Sequence, residues 1–350
     1  MCYNQYVINM KIKKYSLSLL LFFFLFFLTY YFIFKDYSFN ELLVSLKNIK
    51  PIYVIYSIIA MVLWAFFESL YLKRMLYHLG YKVGFYKAFG YVFTECYFSA
   101  VTPSSIGGQP VQMVEMSKDG IPYRVNSILI LLTTLIYKIT LLFLAVIGFV
   151  LYKDDLFTFN NLFNILAIFG FITTILLCIF FIILVYSKKL MPFLIKIVFK
   201  LMHLLHFKNV KEKEEKLLEA VDGYKECAEF TRRNPQILVE SFFILLCQRL
   251  SVLIISVFIY LGFGLSRYSI MEVLSFQVWI TIAVDFTPFP GGVLISENLL
   301  NEANKVLYGG SLATSGMIIL RAISFYGIVL FAFIYYLFFH YLKRKPCTKL

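Results

Sequence analysis

The chain has 350 residues, of which 61% are hydrophobic and only 15% charged, and its mean hydropathy is +0.79. That leaves too little polar surface to cover a soluble globule, so the chain reads as an integral membrane protein. Its 33 Lys and Arg against 20 Asp and Glu give a net charge of +13, but the basic residues lie between apolar runs rather than on a folded polar domain, which excludes a nucleic-acid partner.

The first apolar run, Ser16 to Phe34, follows Lys11, Lys13 and Lys14 as a secretory signal would. It is longer than the roughly 7 to 15 residues of a signal core, and no small-x-small cleavage site precedes Lys35 and Asp36, so it is predicted as a retained helix. Ser38 to Lys50 has Leu and Val at helical spacing and reads as a short interfacial helix. Further full spans are predicted at Ile52 to Leu72, Asn126 to Tyr152, Leu162 to Tyr186, Gln236 to Phe263 and Leu312 to His340, making six crossings. Two more apolar pieces, Ala88 to Val101 and Ile270 to Phe286, are too short or too quickly interrupted to count as spans. Each runs into a Pro- and Gly-broken segment: TPSSIGGQPVQMVE from Thr102 to Glu115, and TPFPGGVLISE from Thr287 to Glu297. The insertion from Ser187 to Pro235 begins as a Lys-rich amphipathic helix and continues as a charged, solvated one.

Basic residues set the orientation. The N-terminus, Lys73 to Lys87, the insertion and the C-terminal KRKPCTK are the basic segments. If both broken segments dip in and return, six crossings place all of them in the cytoplasm with both termini. Ile52 to Tyr152 then matches Gln236 to His340 in order and in opposite orientation, with the insertion 187–235 between them. The expected fold is a single all-α membrane domain of six spans plus two re-entrant segments in an inverted repeat.

Backbone broken at membrane depth survives only where protein buries it or a wet cavity meets it. Gly107, Gly108, Gly291 and Gly292 would permit a tight turn whose N–H groups, with the start of a following helix, attract phosphate; alternatively, the Gly pairs serve close helix packing. The copies also match in charge. Glu115 follows Gly108 by seven positions and Glu297 follows Gly292 by five, while Lys138 and Arg321 lie 30 and 29 residues after the same glycines, each inside the next span. Arg249 sits near the middle of another. A cation at mid-bilayer costs about 2.5 to 3.5 kcal/mol, so these three need pairing or hydration. In one reading Glu95, Glu115, Asp285 and Glu297 neutralise them as buried ion pairs. In the other, Lys138, Arg249 and Arg321 hold a lipid phosphate in a partly hydrated cavity, with Thr102, Thr287 and the acids lining the route. Glu68, Glu240 and Arg124 are placed nearer span ends, where solvation accounts for them. The six cysteines are scattered without a C-x-x-C pair and the histidines lack ligand spacing, so no metal is expected. No P-loop or nucleophile–base pair is visible, and no catalytic residue or cofactor is assigned.

With TPSSIGG-x-P and Glu115, TPFPGG and Glu297, and the spans around both, the chain resembles the lysylphosphatidylglycerol synthase transmembrane family of flippase-like membrane proteins, over nearly its whole length. It departs from the commoner pattern in having VLISE where a glycine often precedes the glutamate. The resemblance implies a bacterial cytoplasmic-membrane protein that moves an anionic or aminoacylated phospholipid, phosphatidylglycerol or its lysyl derivative, between leaflets. Family members also carry a soluble aminoacyltransferase domain, which neither the ten residues after His340 nor the insertion is long enough to form. Two alternatives stay open: the membrane component of a phosphatidylglycerol lysyltransferase acting with a separate synthase chain, or a small-solute transporter. Membrane phospholipid is the expected partner, and a homodimer is left open. The topology has a direct test: membrane-impermeant thiol reagents applied to intact cells should leave Cys227 and Cys347 unlabelled, and strong labelling of either overturns the re-entrant arrangement.

Overall fold

The computed structural model describes residues 47, 49–102, 107–156, 159, 161–186, 229–284, 303–310, 312–341 and 348–349. The predicted span Ser16 to Phe34, nearly all of Ser38 to Lys50, most of the 187–235 insertion and the whole second broken segment lie outside these residues. In chain order the helices are α1 (Pro51–His78), α2 (Phe85–Val101), α3 (Gly108–Lys118), α4 (Tyr123–Leu156), α5 (Asn161–Tyr186), α6 (Pro235–Gly262), α7 (Ile270–Val284), α8 (Ala313–Arg321), a π-helical stretch (Ala322–Gly327) and α9 (Ile328–Tyr341). Five of these rods are long and apolar enough to cross a membrane: α1, α4, α5, α6 and the continuous α8–α9. They coincide with the five predicted spans that the structure describes.

The first span of each predicted half is built alike. α1 and α6 both have 28 residues and a proline at the first turn, Pro51 and Pro235, where a missing N–H is not needed and φ is already helical. Both end two residues before a glycine in the left-handed region, Gly80 at φ 88° and Gly264 at φ 73°. They run antiparallel. At one end the Lys50 amide donates to the Gly262 carbonyl at 3.0 Å; at the other, Arg74 Nε lies 2.8 Å and His78 Nε2 3.2 Å from the Glu240 carboxylate.

The short helices cross between the halves. α2 packs on α9, with Gly90 against the Phe339 ring and a run of aromatic contacts from Phe93–Phe331 to Tyr97–Tyr336. α7 packs on α4 and α5, where Gly148 faces Ser275 and Gly170 meets the Ile282 carbonyl. Lipid removes the hydrophobic drive between helices, so van der Waals fit at such small residues holds them together. The outward faces remain apolar: Leu162, Ile165, Phe169, Ile172 and Leu176 of α5 are all exposed, as the bilayer requires.

α2 and α3 form a hairpin whose two ends meet. Lys87, at the start of α2, lies 3.5 Å from Asp119 just beyond α3, and the Tyr91 hydroxyl donates to the same carboxylate at 2.6 Å. The segment that the sequence places as re-entrant is folded back on itself as two antiparallel helices. One pairing was not foreseen. Tyr81–Lys82 and Thr348–Lys349 form a two-stranded antiparallel ribbon that ties the end of the chain to the α1–α2 link. Because the Gly170 crossing has no room for a Cβ, Gly170→Ala should lower stability by about 1 to 3 kcal/mol. This would be read as a lower thermal midpoint in detergent, while Ile172→Ala on the lipid face should change little.

Candidate functional site

The residues on either side of the hairpin turn show how the sequence reverses the chain. Thr102 leaves the helical conformation at φ −112°, ψ 144°, ending α2. Its hydroxyl donates back to the Phe98 carbonyl at 2.7 Å and accepts the Gly107 amide at 3.0 Å, so one side chain serves groups on both sides of the turn. Gly107 has ordinary right-handed backbone, φ −74°, ψ −18°. Its amide thus serves the turn rather than standing open to a phosphate. At Gly108 a Cβ would run into the Ser99 hydroxyl and the Glu95 backbone carbonyl. For this glycine pair the close-packing role is visible: α3 starts directly against α2.

Close packing delivers a buried polar cluster. Gln112, 3% exposed on α3, donates from Nε2 to Glu95 Oε2 at 2.8 Å and to the Tyr91 carbonyl at 3.4 Å. Glu95 interacts electrostatically with Glu68 on α1, and Glu68 in turn with Arg249 on α6. Arg249 is only 8% exposed, and its guanidinium carbon stands 3.1 Å from the ring centroid of Tyr137 on α4, where the ring face attracts the cation. One buried arginine and two carboxylates on α6, α1 and α2 are thus linked in series, with Gln112 of α3 at one end and Tyr137 of α4 at the other.

The other predicted residues divide. Glu115 is 2% exposed and pairs with Lys118 one turn on, at 2.8 Å. Lys138 lies in electrostatic range of Cys178 on α5. Arg321 closes α8, where the π-helical stretch begins, with its guanidinium carbon 5.8 Å from the Phe325 centroid; π-helical turns inside α-helices recur at functional sites. Asp285, Thr287, Gly291, Gly292 and Glu297 lie outside the described residues, so only the first copy of the broken segment has a described geometry. Among the described residues no group of three His, Cys, Asp or Glu could hold a metal.

Sequence reasoning placed Glu68 near a span end because it closed the first span at Leu72. α1 runs on to His78, which sets Glu68 about 15 Å inside the helix end. Gln112 and Tyr137 carry no signal of their own in the sequence: an amide ten residues past Thr102 in a polar stretch and one tyrosine among 26. The charges make a thermodynamic unit. Arg249→Gln removes the cation that favours the charged form of Glu68, so it should lower the thermal midpoint more than the double variant Glu68→Gln/Arg249→Gln. The coupling expected within one such charge network is about 0.5 to 3 kcal/mol.

A model of the protein family described as the lysylphosphatidylglycerol synthase TM region matches residues 15–332. No curated protein and no solved structure matches the chain.

Proposed function

This chain belongs to the lysylphosphatidylglycerol synthase transmembrane family, which ties it to lysylphosphatidylglycerol metabolism at a membrane, and we propose that its part is to carry an anionic or aminoacylated phospholipid from one leaflet to the other. The observation that carries this reading is the charged cluster around Arg249, which runs from the spans α6 and α1 to Glu95 and Gln112 of the α2–α3 hairpin. A phosphate crossing a bilayer loses its hydration, and a fixed cation with adjustable carboxylate neighbours offsets that loss along the way. Lys138 and Arg321, on the spans that follow the two broken segments, are proposed as further stations, with the carboxylates meeting a cationic aminoacyl headgroup.

Two features support a transporter architecture. α1 and α6 share length, start and end signals and run antiparallel, the relation that an inverted repeat demands of its first spans. Lys73, Arg74, Lys82, Lys87, Lys118 and Arg124 gather at the end of the bundle where α1 closes and α4 and α6 open. We assign that end to the bacterial cytoplasm, with both chain termini.

The test is reconstitution. Purified protein in liposomes should speed interleaflet movement of labelled phosphatidylglycerol without tRNA or ATP, with a pH or potential gradient supplied in parallel. Lys138→Gln or Arg321→Gln should slow it about tenfold or more, equivalent to about 1.4 kcal/mol on the barrier, at unchanged folded yield, whereas Arg124→Gln at a helix start should not. Rates equal to those of empty liposomes under every gradient would remove the flippase reading in favour of a partner-dependent synthase component.

A further inference from the structure

A second charged feature lies away from the Arg249 cluster, at the basic end of the bundle. A cavity of about 770 Å³ opens there between the last turns of α1, the link into α2 and the first turns of α6. Lys73, Arg74, Lys82 and Glu240 line it together with apolar walls that include Tyr77 and Phe243. Its charges do not cancel. Glu240 is engaged by Arg74 at 2.8 Å and by His78 at 3.2 Å. Lys73 rests over the Phe85 ring at 4.1 Å, and among the described residues neither it nor Lys82 forms an ion pair with a carboxylate. The cavity therefore presents two ammonium groups beyond the one acid it contains.

From this geometry we infer that the cavity is a headgroup site for an anionic phospholipid of the leaflet at this end, its phosphate between Lys73 and Lys82 and its acyl chains leaving along α6. Depth favours a lipid over a dissolved anion. Lys73 is five residues from the end of α1, roughly 8 Å along the axis. A 28-residue helix is about 42 Å long and so reaches through both headgroup layers, which sets Lys73 near phosphate level. The walls favour it too. Phe243 is 59% exposed and Val239, one turn earlier on α6, is 56% exposed. Both form an apolar strip leading from the cavity to the hydrocarbon, as an acyl chain needs and a soluble phosphate does not. Basic pockets between helices at a membrane surface are a recurrent way of holding anionic headgroups. The volume lies within the range of ligand pockets, about 300 to 1,000 Å³. The site does not depend on whether the chain transports lipid, because its claim is binding at the membrane edge.

Gly84 supplies a clean way to close it. It lines the cavity, has extended backbone at φ −75°, ψ 157° that any residue adopts, and a Cβ added there meets nothing within 4 Å. Gly84→Trp should fill the space without removing a charge or breaking a contact. The experiment is native mass spectrometry of the full chain in detergent, titrated with phosphatidylglycerol, phosphatidylcholine and sn-glycerol 3-phosphate. Wild type should retain one phosphatidylglycerol more than Lys73→Gln/Lys82→Gln and than Gly84→Trp, with at least about tenfold weaker apparent affinity in either variant. Lys153→Gln, at the opposite end, should bind as wild type does, and phosphatidylcholine should bind all four alike. Matching elution volumes and helical circular dichroism identify the variants that remain folded. Undiminished phosphatidylglycerol binding in the folded double variant or in folded Gly84→Trp would overturn the site. Displacement of the extra lipid by millimolar glycerol 3-phosphate would reassign it to a soluble anion and overturn the lipid assignment.

Discussion

The hydroxyl of Thr102 is the point on which the first half of the structure turns. In a bilayer no water is on hand for the backbone groups that a reversal exposes, and each one left open costs several kcal/mol. Thr102 answers on both sides, giving its hydrogen to Phe98 and taking one from Gly107. Gly108 then allows α3 to start against α2 at a distance no side chain would tolerate. Once the hairpin is closed in this way, Gln112 comes within reach of Glu95 and Asp119 within reach of Lys87 and Tyr91. The polar cluster follows from the turn and not the reverse.

Around that hairpin the molecule is organised by two kinds of fit. Long spans with nearly featureless apolar surfaces are fixed to one another at glycines, where Gly90, Gly148, Gly170 and Gly262 let a neighbour approach. Charged residues are fixed by direction. Those near the helix ends pair in short ladders at the membrane edge, as Arg74 and His78 do with Glu240, while Arg249 is carried inward on a helix that packs on α1 and α4. Burying a cation in that position is expensive unless it has neighbours of opposite sign and an aromatic face, and Glu68 and Tyr137 provide them.

The two charged places, one deep and one at the edge, differ in physical character. The deep cluster draws side chains from five helices and sets acids and a base in one another's field. The cavity by Lys73 and Lys82 faces outward, has an excess of positive charge and joins an apolar strip. α1 links them: Glu68 and Lys73 stand five residues apart on the same helix, so a lipid held at the edge and the charges at depth share one rigid element.

Much of this was legible in the sequence. The five described spans, the helix break after Val101 and the family follow from apolar run length and from Thr-Pro and Gly-Gly punctuation, because a bilayer imposes length and backbone satisfaction on each segment separately. Contacts between segments are not imposed in that way. That Glu68 lies in the field of Arg249, that Gly108 is a packing contact, and that the tail strand Thr348–Lys349 pairs with Tyr81–Lys82 depend on which faces meet after the helices assemble. The lipid-facing and partner-facing sides of these helices are almost equally apolar, so hydropathy fixes each helix in the membrane but leaves its rotation about its own axis, and with it the partner of every buried charge, to the tertiary fit.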